Sequence, residues 1–254
     1  MRSFHDFIEM TGAAARSRCA VIAPKLSRAL RTAPADLAAV LFPAVCHGCG
    51  ALAVEGEWRP LLCGACGDGF PLHDAQLDVP WPLATGMALA RFEGPARRLL
   101  IELKFNGLLR AGRALGDRMG RAGGAAAILV DADLIVPVPL YWRRRWRRGH
   151  NQAAVLARAL GRAHRAAGGR AVVAAALRRS RATRPQVGSD RDDRMRNVAG
   201  AFRVRRSGAE VVAGKAIVLI DDVVTTGATA AAAARALLDA GAREVRLYAA
   251  AWAP

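Results

Sequence analysis

The stretch Ile217-Val-Leu-Ile-Asp221-Asp222-Val-Val-Thr225-Thr226-Gly227-Ala-Thr229 decides how the rest of the chain is read. Four apolar residues make a central buried strand. Its carboxyl end delivers two adjacent acids, and a turn rich in hydroxyls then opens a helix over 230–240. In open α/β sheets, ligands bind outside the carboxyl ends of the strands. A helix N-terminus adds unpaired N–H groups and positive dipole potential, suited to a phosphate monoester. Thr225, Thr226 and Thr229 supply hydroxyl donors, and Gly227 lets the backbone close around the anion. Two carboxylates beside a phosphate would repel it unless they accept hydrogen bonds from sugar hydroxyls or touch a divalent cation carried by the ligand.

Outward from this stretch, short apolar runs alternate with longer helical ones. Residues 87–92 read as a strand, and 95–105 as a helix with Leu99, Leu100 and Leu103 on one side. Strands are expected at 134–139, 171–176, 217–220 and 245–250, with a helix near 152–167. Fully apolar strands separated by helices imply a parallel sheet covered on both faces, an α/β fold. Three parts follow: an arm over 1–38, helical with breaks at Pro24 and Pro34; a cysteine module over 39–75; and the α/β domain over 85–254. A connector punctuated by Pro71, Pro80 and Pro82 joins the last two.

The module holds Cys46-His-Gly-Cys49 and Cys63-Gly-Ala-Cys66. Two spaced CxxC pairs can close a tetrahedral four-sulfur site, and four protein ligands leave no open position, so zinc there would be structural. Gly48, Gly50, Gly64 and Gly67 supply the turns. A redox role is the competing reading, but redox CxxC pairs are not normally duplicated at this spacing. His47 and His73 are substitute ligands on paper, and Cys19 stands apart as a small hydrophobe.

Hydrophobic residues at 53% and charged residues at 23% are enough for a packed core and argue against disorder. The net charge is +17, and its placement matters more than its size. Residues 141–206 carry 19 arginines against Asp190, Asp192 and Asp193, while the other 188 residues nearly balance at 19 basic and 18 acidic. Composition bias would spread evenly; a block predicts an anionic partner such as nucleic acid or diphosphate. No run approaches the roughly 18–20 apolar residues that span a bilayer, and the N-terminus lacks a signal-peptide core, so a cytoplasmic location is expected. An odd count of five cysteines also argues against a secreted disulfide framework.

The segment 217–229 resembles the phosphoribosyl-diphosphate (PRPP) motif of type I phosphoribosyltransferases. Together with the cysteine module, Arg91-Phe-Glu-Gly-Pro95, Leu103-Lys-Phe-Asn-Gly107, Val136-Pro-Val-Pro-Leu140, Arg148-Gly-His-Asn-Gln152, Arg184-Pro-Gln186 and Arg196-Asn-Val-Ala-Gly200-Ala-Phe202, it resembles the ComF family over about residues 38–254. These are competence-associated, phosphoribosyltransferase-like proteins with an N-terminal zinc ribbon. The resemblance implies that Asp221 and Asp222 contact the ribose hydroxyls as the catalytic pair. It implies that Thr225, Thr226, Gly227, Ala228 and Thr229 cradle the 5′-phosphate, and that the ligand is PRPP with Mg²⁺. It further implies uptake of transforming single-stranded DNA, with a helicase-like partner. Pro137 and Val138 begin the expected diphosphate loop. Arg184 and Arg196 fall in a long polar segment that would close over the diphosphate.

Directly after that loop come Trp142, Arg143, Arg144, Arg145, Trp146, Arg147 and Arg148. Arginines hold phosphates and indoles stack on bases, the stacking being worth roughly 1–3 kcal/mol per base. The alternative is that Trp142 and Trp146, four apart, form a buried stripe while the arginines face water. Two features bear on catalysis: no lysine lies between Lys104 and Lys215, and no C-terminal hood for a base is expected after Pro254. Two functions therefore stand side by side: a nucleic-acid-handling protein on this scaffold, and a working transferase that displaces diphosphate with a nucleobase or another acceptor. The acceptor, the oligomeric state and any contact of the zinc module with DNA are not specified by the sequence.

Overall fold

The computed structural model describes residues 45–52, 58, 61–181 and 198–254. From Cys46 to Pro254 the chain forms one compact unit. Its centre is a six-stranded sheet in the order β1-β2-β8-β7-β3-β4. The strands are β1 (Leu72–Leu77), β2 (Gly86–Arg91), β3 (Leu134–Pro137), β4 (Val172–Val173), β7 (Ala216–Val224) and β8 (Glu244–Trp252). All neighbours pair in parallel except β1, which runs antiparallel along β2 at one edge. A separate antiparallel hairpin joins β5 (Leu177–Arg179) to β6 (Phe202–Val204).

The two faces of the sheet follow from alternation along each strand. Val136, Ile217, Leu219, Val245 and Leu247 point to a core shared with Leu177 and Phe202 of the hairpin and with the alanine-rich helix α8 (Ala228–Leu238). Ile135, Val218, Ile220 and Tyr248 are also fully buried. On their face Tyr248 donates its hydroxyl to the carbonyl of Met119 at 3.1 Å, in helix α3 (Leu109–Arg121). Beside α3 lies α6 (Gln152–Ala166). A glycine row lets these two helices approach: a Cβ at Gly116 would sit 2.4 Å from the Leu156 carbonyl oxygen, and one at Gly120 2.6 Å from Ala163. Helices α2 (Gly94–Phe105), α4 (Gly123–Leu129), α5 (Trp142–Arg148) and α7 (Ala209–Val212), with the short α1 (Gly64–Asp68) and a 3-10 turn at Arg206–Gly208, complete the described elements.

The α/β class stands, a mostly parallel sheet with helices on both faces. Several boundaries differ from expectation. The proline-punctuated connector contains β1, because Leu72–Leu77 finds an open sheet edge on β2. The run at 171–176 yields only the two-residue β4, since the chain leaves the sheet to build the hairpin. The strand expected at 217–220 continues through both acids to Val224, because β8 pairs with it as far as Trp252. Helix α8 accordingly starts at Ala228 rather than 230. Among the described residues, no helix is long and apolar enough to cross a membrane.

Candidate functional site

The two strands beside β7 end at different heights. On one side β8 follows it to Val224; on the other, β3 stops pairing at Pro137, opposite Ile220. The Val138 N–H donates to the Ile220 carbonyl at 2.9 Å and the chain then turns away. Asp221 and Asp222 are thus still held in a strand but face a gap on the β3 side. Both are half-buried, and the Asp222 side chain keeps 16% of its exposure. Each carboxylate accepts the next backbone N–H at 2.8 Å, Asp221 from Asp222 and Asp222 from Val223.

Burial pushes Asp221 up to about 8, and the neighbouring Asp222 charge adds to the rise. Opposing it is Lys104, whose Nζ lies 3.6 Å from Asp222 Oδ2. This lysine sits one residue from the end of α2. The sequence reading gave it no role in the site. Its signal was the segment Leu103-Lys-Phe-Asn-Gly107, which topology carries to the carboxyl edge of the sheet.

After β7, Gly227 caps α8 with φ +73°, and its carbonyl accepts the Ala231 N–H at 2.9 Å. Glycine is required twice here: by the left-handed backbone, and because a Cβ would lie 2.6 Å from Pro80 Cδ. The loop from Thr225 to Ala230 lines a recess of about 60 Å³ with Asp221 and Val198. A neighbouring cleft of about 190 Å³ is lined by Lys104, Val138, Pro139, Arg148, Arg179 and Asp222, among others. Asp221, Val223 and Thr229 line both, so recess and cleft adjoin. The structure thus brings together the phosphate loop, the acid pair and the expected diphosphate loop. Three consecutive side chains tie this arrangement together. The ring nitrogens of His150 lie 2.7 Å from the carbonyl oxygens of Arg148 and Leu103. Asn151 donates to the Val138 carbonyl at 3.1 Å, and Gln152 to that of Lys104 at 3.4 Å.

Helix α5 leads into this cleft through Arg148. Trp142 is 58% and Trp146 85% exposed, which removes the buried-stripe alternative: a seven-residue helix is too short to lay a stripe against the core. The Arg143 guanidinium lies 5.2 Å from the Trp142 ring, and that of Arg148 5.2 Å from the half-exposed Phe105. Arg144 and Arg145 belong to the same helix. Arg184 and Arg196, Cys19 and the arm over 1–38 lie outside the described residues.

The four cysteine sulfurs of Cys46, Cys49, Cys63 and Cys66 all lie within 4.8 Å of one another, and those of Cys49 and Cys63 are 3.7 Å apart. Tetrahedral ligation at the usual Zn–S length needs sulfurs at about this separation. Burial opposes ionisation of Cys46, but N–H bonds from Cys63, Cys49 and Gly48 bring it down to about 6. Burial and the adjoining sulfurs push Cys66 up to about 12. Four crowded thiols without a cation cannot all ionise, whereas a metal ion would hold them together. The donor set could hold a metal ion and fits zinc. His47 and His73 stay outside it; His73 instead stacks on Trp252 at 4.9 Å.

Residues 147–253 match the phosphoribosyl transferase domain model. The DNA utilization protein YhgH of Escherichia coli (strain K12) is 34% identical over 212 residues, covering 80% of this chain and 82% of that protein. Its counterpart in Salmonella typhimurium is 33% identical over 210 residues, with 80% and 82% covered. Competence protein F of Haemophilus influenzae is 35% identical over 116 residues, 46% of this chain and 48% of that protein. This chain belongs to the ComF family. Membership accounts for the pairing of a four-cysteine centre with a phosphoribosyltransferase-like sheet. The residues matched by the domain model include His150, Asn151 and Gln152, whose side chains bond the carbonyls of Leu103, Val138 and Lys104 around the cleft.

Proposed function

We propose that this ComF-family protein binds PRPP or a related phosphoribosyl ligand together with Mg²⁺, and handles single-stranded DNA during natural transformation. The carrying observation is that one cleft is lined both by the acid pair and by Arg148, the last residue of the exposed tryptophan–arginine helix. The 5′-phosphate fits the recess made by Thr225, Thr226, Gly227, Ala228 and Thr229. The ribose hydroxyls donate to Asp221 and Asp222, and the diphosphate meets Pro137, Val138 and the cationic side chains of the cleft. Mg²⁺ would come with the diphosphate and offset its charge beside the acids. The zinc held by the four cysteines is structural. The names of the relatives, DNA utilization and competence, support the nucleic-acid part of the reading. A helicase-like partner and a cytoplasmic location belong to the same reading.

A second reading, a transferase that displaces diphosphate with a nucleobase, is favoured by Lys104, a cation beside Asp222 where a leaving diphosphate needs one. Calorimetric titration of the whole protein with PRPP–Mg²⁺, and with a single-stranded oligonucleotide, tests the first reading. Binding of both, with PRPP affinity lost in Asp221→Asn with Asp222→Asn, is the expected result. Unchanged PRPP affinity in that variant would remove the site assignment. Diphosphate release only when a particular base is supplied would favour the transferase.

A further inference from the structure

The β5–β6 hairpin pairs Leu177 with Val204, Arg178 with Arg203 and Arg179 with Phe202. Alternation sends Leu177 and Phe202 into the core, and the Arg179 guanidinium lies 5.2 Å from the Phe202 ring. The same alternation leaves Arg178 and Arg203 directly opposite each other on the outer face, both exposed. Like charges directly opposite destabilise an antiparallel pair. Among the described residues no carboxylate pairs with either of them, whereas Arg121, Lys215 and Arg246 each have an acid within reach. Two further exposed arginines, Arg205 and Arg206, follow at once, and Arg205 is tied down by its Nε donating to the Leu177 carbonyl at 3.2 Å. The result is a concentration of positive charge, without acidic partners in the described chain, on a two-stranded base anchored in the core.

Arg178 and Arg203 are both exposed, so a small anion would be poorly held there; single exposed ion pairs contribute little. A polyanion is different, because each phosphate neutralised releases counterions. The hairpin and the tryptophan–arginine helix border one cleft, which Arg179 of β5 and Arg148 of α5 both line. We propose that Arg178 and Arg203 contact the phosphodiester backbone of single-stranded nucleic acid, and that one strand runs from the outer face of the hairpin past the cleft to helix α5. This rests on the single-strand reading of the function and adds the path the strand takes.

The test measures anisotropy of a labelled oligothymidylate with the full-length protein over a salt series. Arg178→Thr with Arg203→Thr should flatten the slope of log K against log salt by about 1.4, at roughly 0.7 for each of two phosphates. The same variant should unfold at an unchanged or higher temperature, because a like-charge pair has been removed. A control with equal loss of charge is Arg170→Gln with Arg243→Gln, exposed residues just before β4 and β8 at the opposite edge of the sheet; it should leave the slope near that of the parent. Parent-like salt dependence in the hairpin variant, or an equal loss in the control, would overturn this path while leaving the proposed function standing. Absence of salt-dependent binding by the parent protein would remove both.

Discussion

Replacing Asp221 by Asn tests the electrostatics of the acid pair without using any ligand. Asp221 stays protonated in the folded protein up to about pH 8, against an ordinary value of 3.8. Between those limits the folded state holds a proton that the unfolded chain has released. Stability therefore falls as pH rises, by about 1.4 kcal/mol per pH unit. Across the window of about four units, the ceiling is on the order of 5 kcal/mol. Coupling to Asp222 and Lys104 reduces it, because charge can be shared among the three groups. Asparagine cannot titrate, so the variant should lose this slope: near parity with the parent protein at pH 4, and a growing advantage towards pH 8. Denaturant unfolding at pH 4.5, 6 and 7.5, compared between the two proteins, reads the difference directly. Titration of the cysteine centre and of surface groups occurs in both proteins and cancels. An identical pH slope in parent and variant would show that Asp221 ionises normally, and the argument from burial would fail.

Other outcomes follow from the same geometry. Cys46→Ser with Cys49→Ser should abolish a stoichiometric zinc seen by elemental analysis and lower the unfolding temperature; structural zinc sites are worth on the order of 10 kcal/mol. Lys104→Met should weaken PRPP–Mg²⁺ binding by about 2 kcal/mol, the worth of a hydrogen bond to a charged group, with little effect on oligonucleotide affinity. Calorimetry showing no change would take Lys104 out of the site. Trp142→Ala with Trp146→Ala should cost roughly 1–3 kcal/mol of oligonucleotide affinity per base unstacked, at every salt concentration and with the salt slope unchanged. Gly227→Ala should destabilise the fold by at least about 1–2 kcal/mol from its left-handed backbone, before the contact with Pro80 is counted; thermal unfolding checks it.

The fold was legible where strands are fully apolar and end in a recognisable loop. Residues 217–229 gave the central strand and the helix after it, because a short fully apolar run suits a strand buried on both faces, but neither the strand's end nor the helix's first residue. Residues 72–77 were not legible: Leu-His-Asp-Ala-Gln-Leu has little strand character, and only the open edge of β2 recruits it. The close packing of α3 on α6 depends on Gly112, Gly116 and Gly120, which read as helix breakers until a partner helix is placed against them. In the site, the acid pair and phosphate loop were visible as contiguous text. Lys104 was not, because its place over Asp222 depends on where α2 ends and on Gln152 bonding its carbonyl, contacts between segments far apart in sequence. The exposure of Trp142 and Trp146 was also undecided, since spacing four apart suits a buried stripe and a stacking surface equally.

The arrangement around the acid pair bears on how the two proposed ligands relate. Two carboxylates in a half-buried pocket cost stability, and the fold offsets that cost in two ways: burial favours a proton on Asp221, and the Lys104 ammonium lies beside Asp222. On the proposed reading, an incoming sugar diphosphate with its cation would change both at once: the cation would favour ionised carboxylates and leave Lys104 to the diphosphate oxygens. Arg148 is drawn into the same balance because it lines the cleft and ends the helix that displays the indoles. A diphosphate that engages Arg148 withdraws one cation from any strand lying along α5. A strand that engages it first leaves the diphosphate with less to bind. On the proposed reading the two ligands would therefore compete at the cleft that Arg148 and Arg179 both line, while the acid pair bears on the sugar ligand alone.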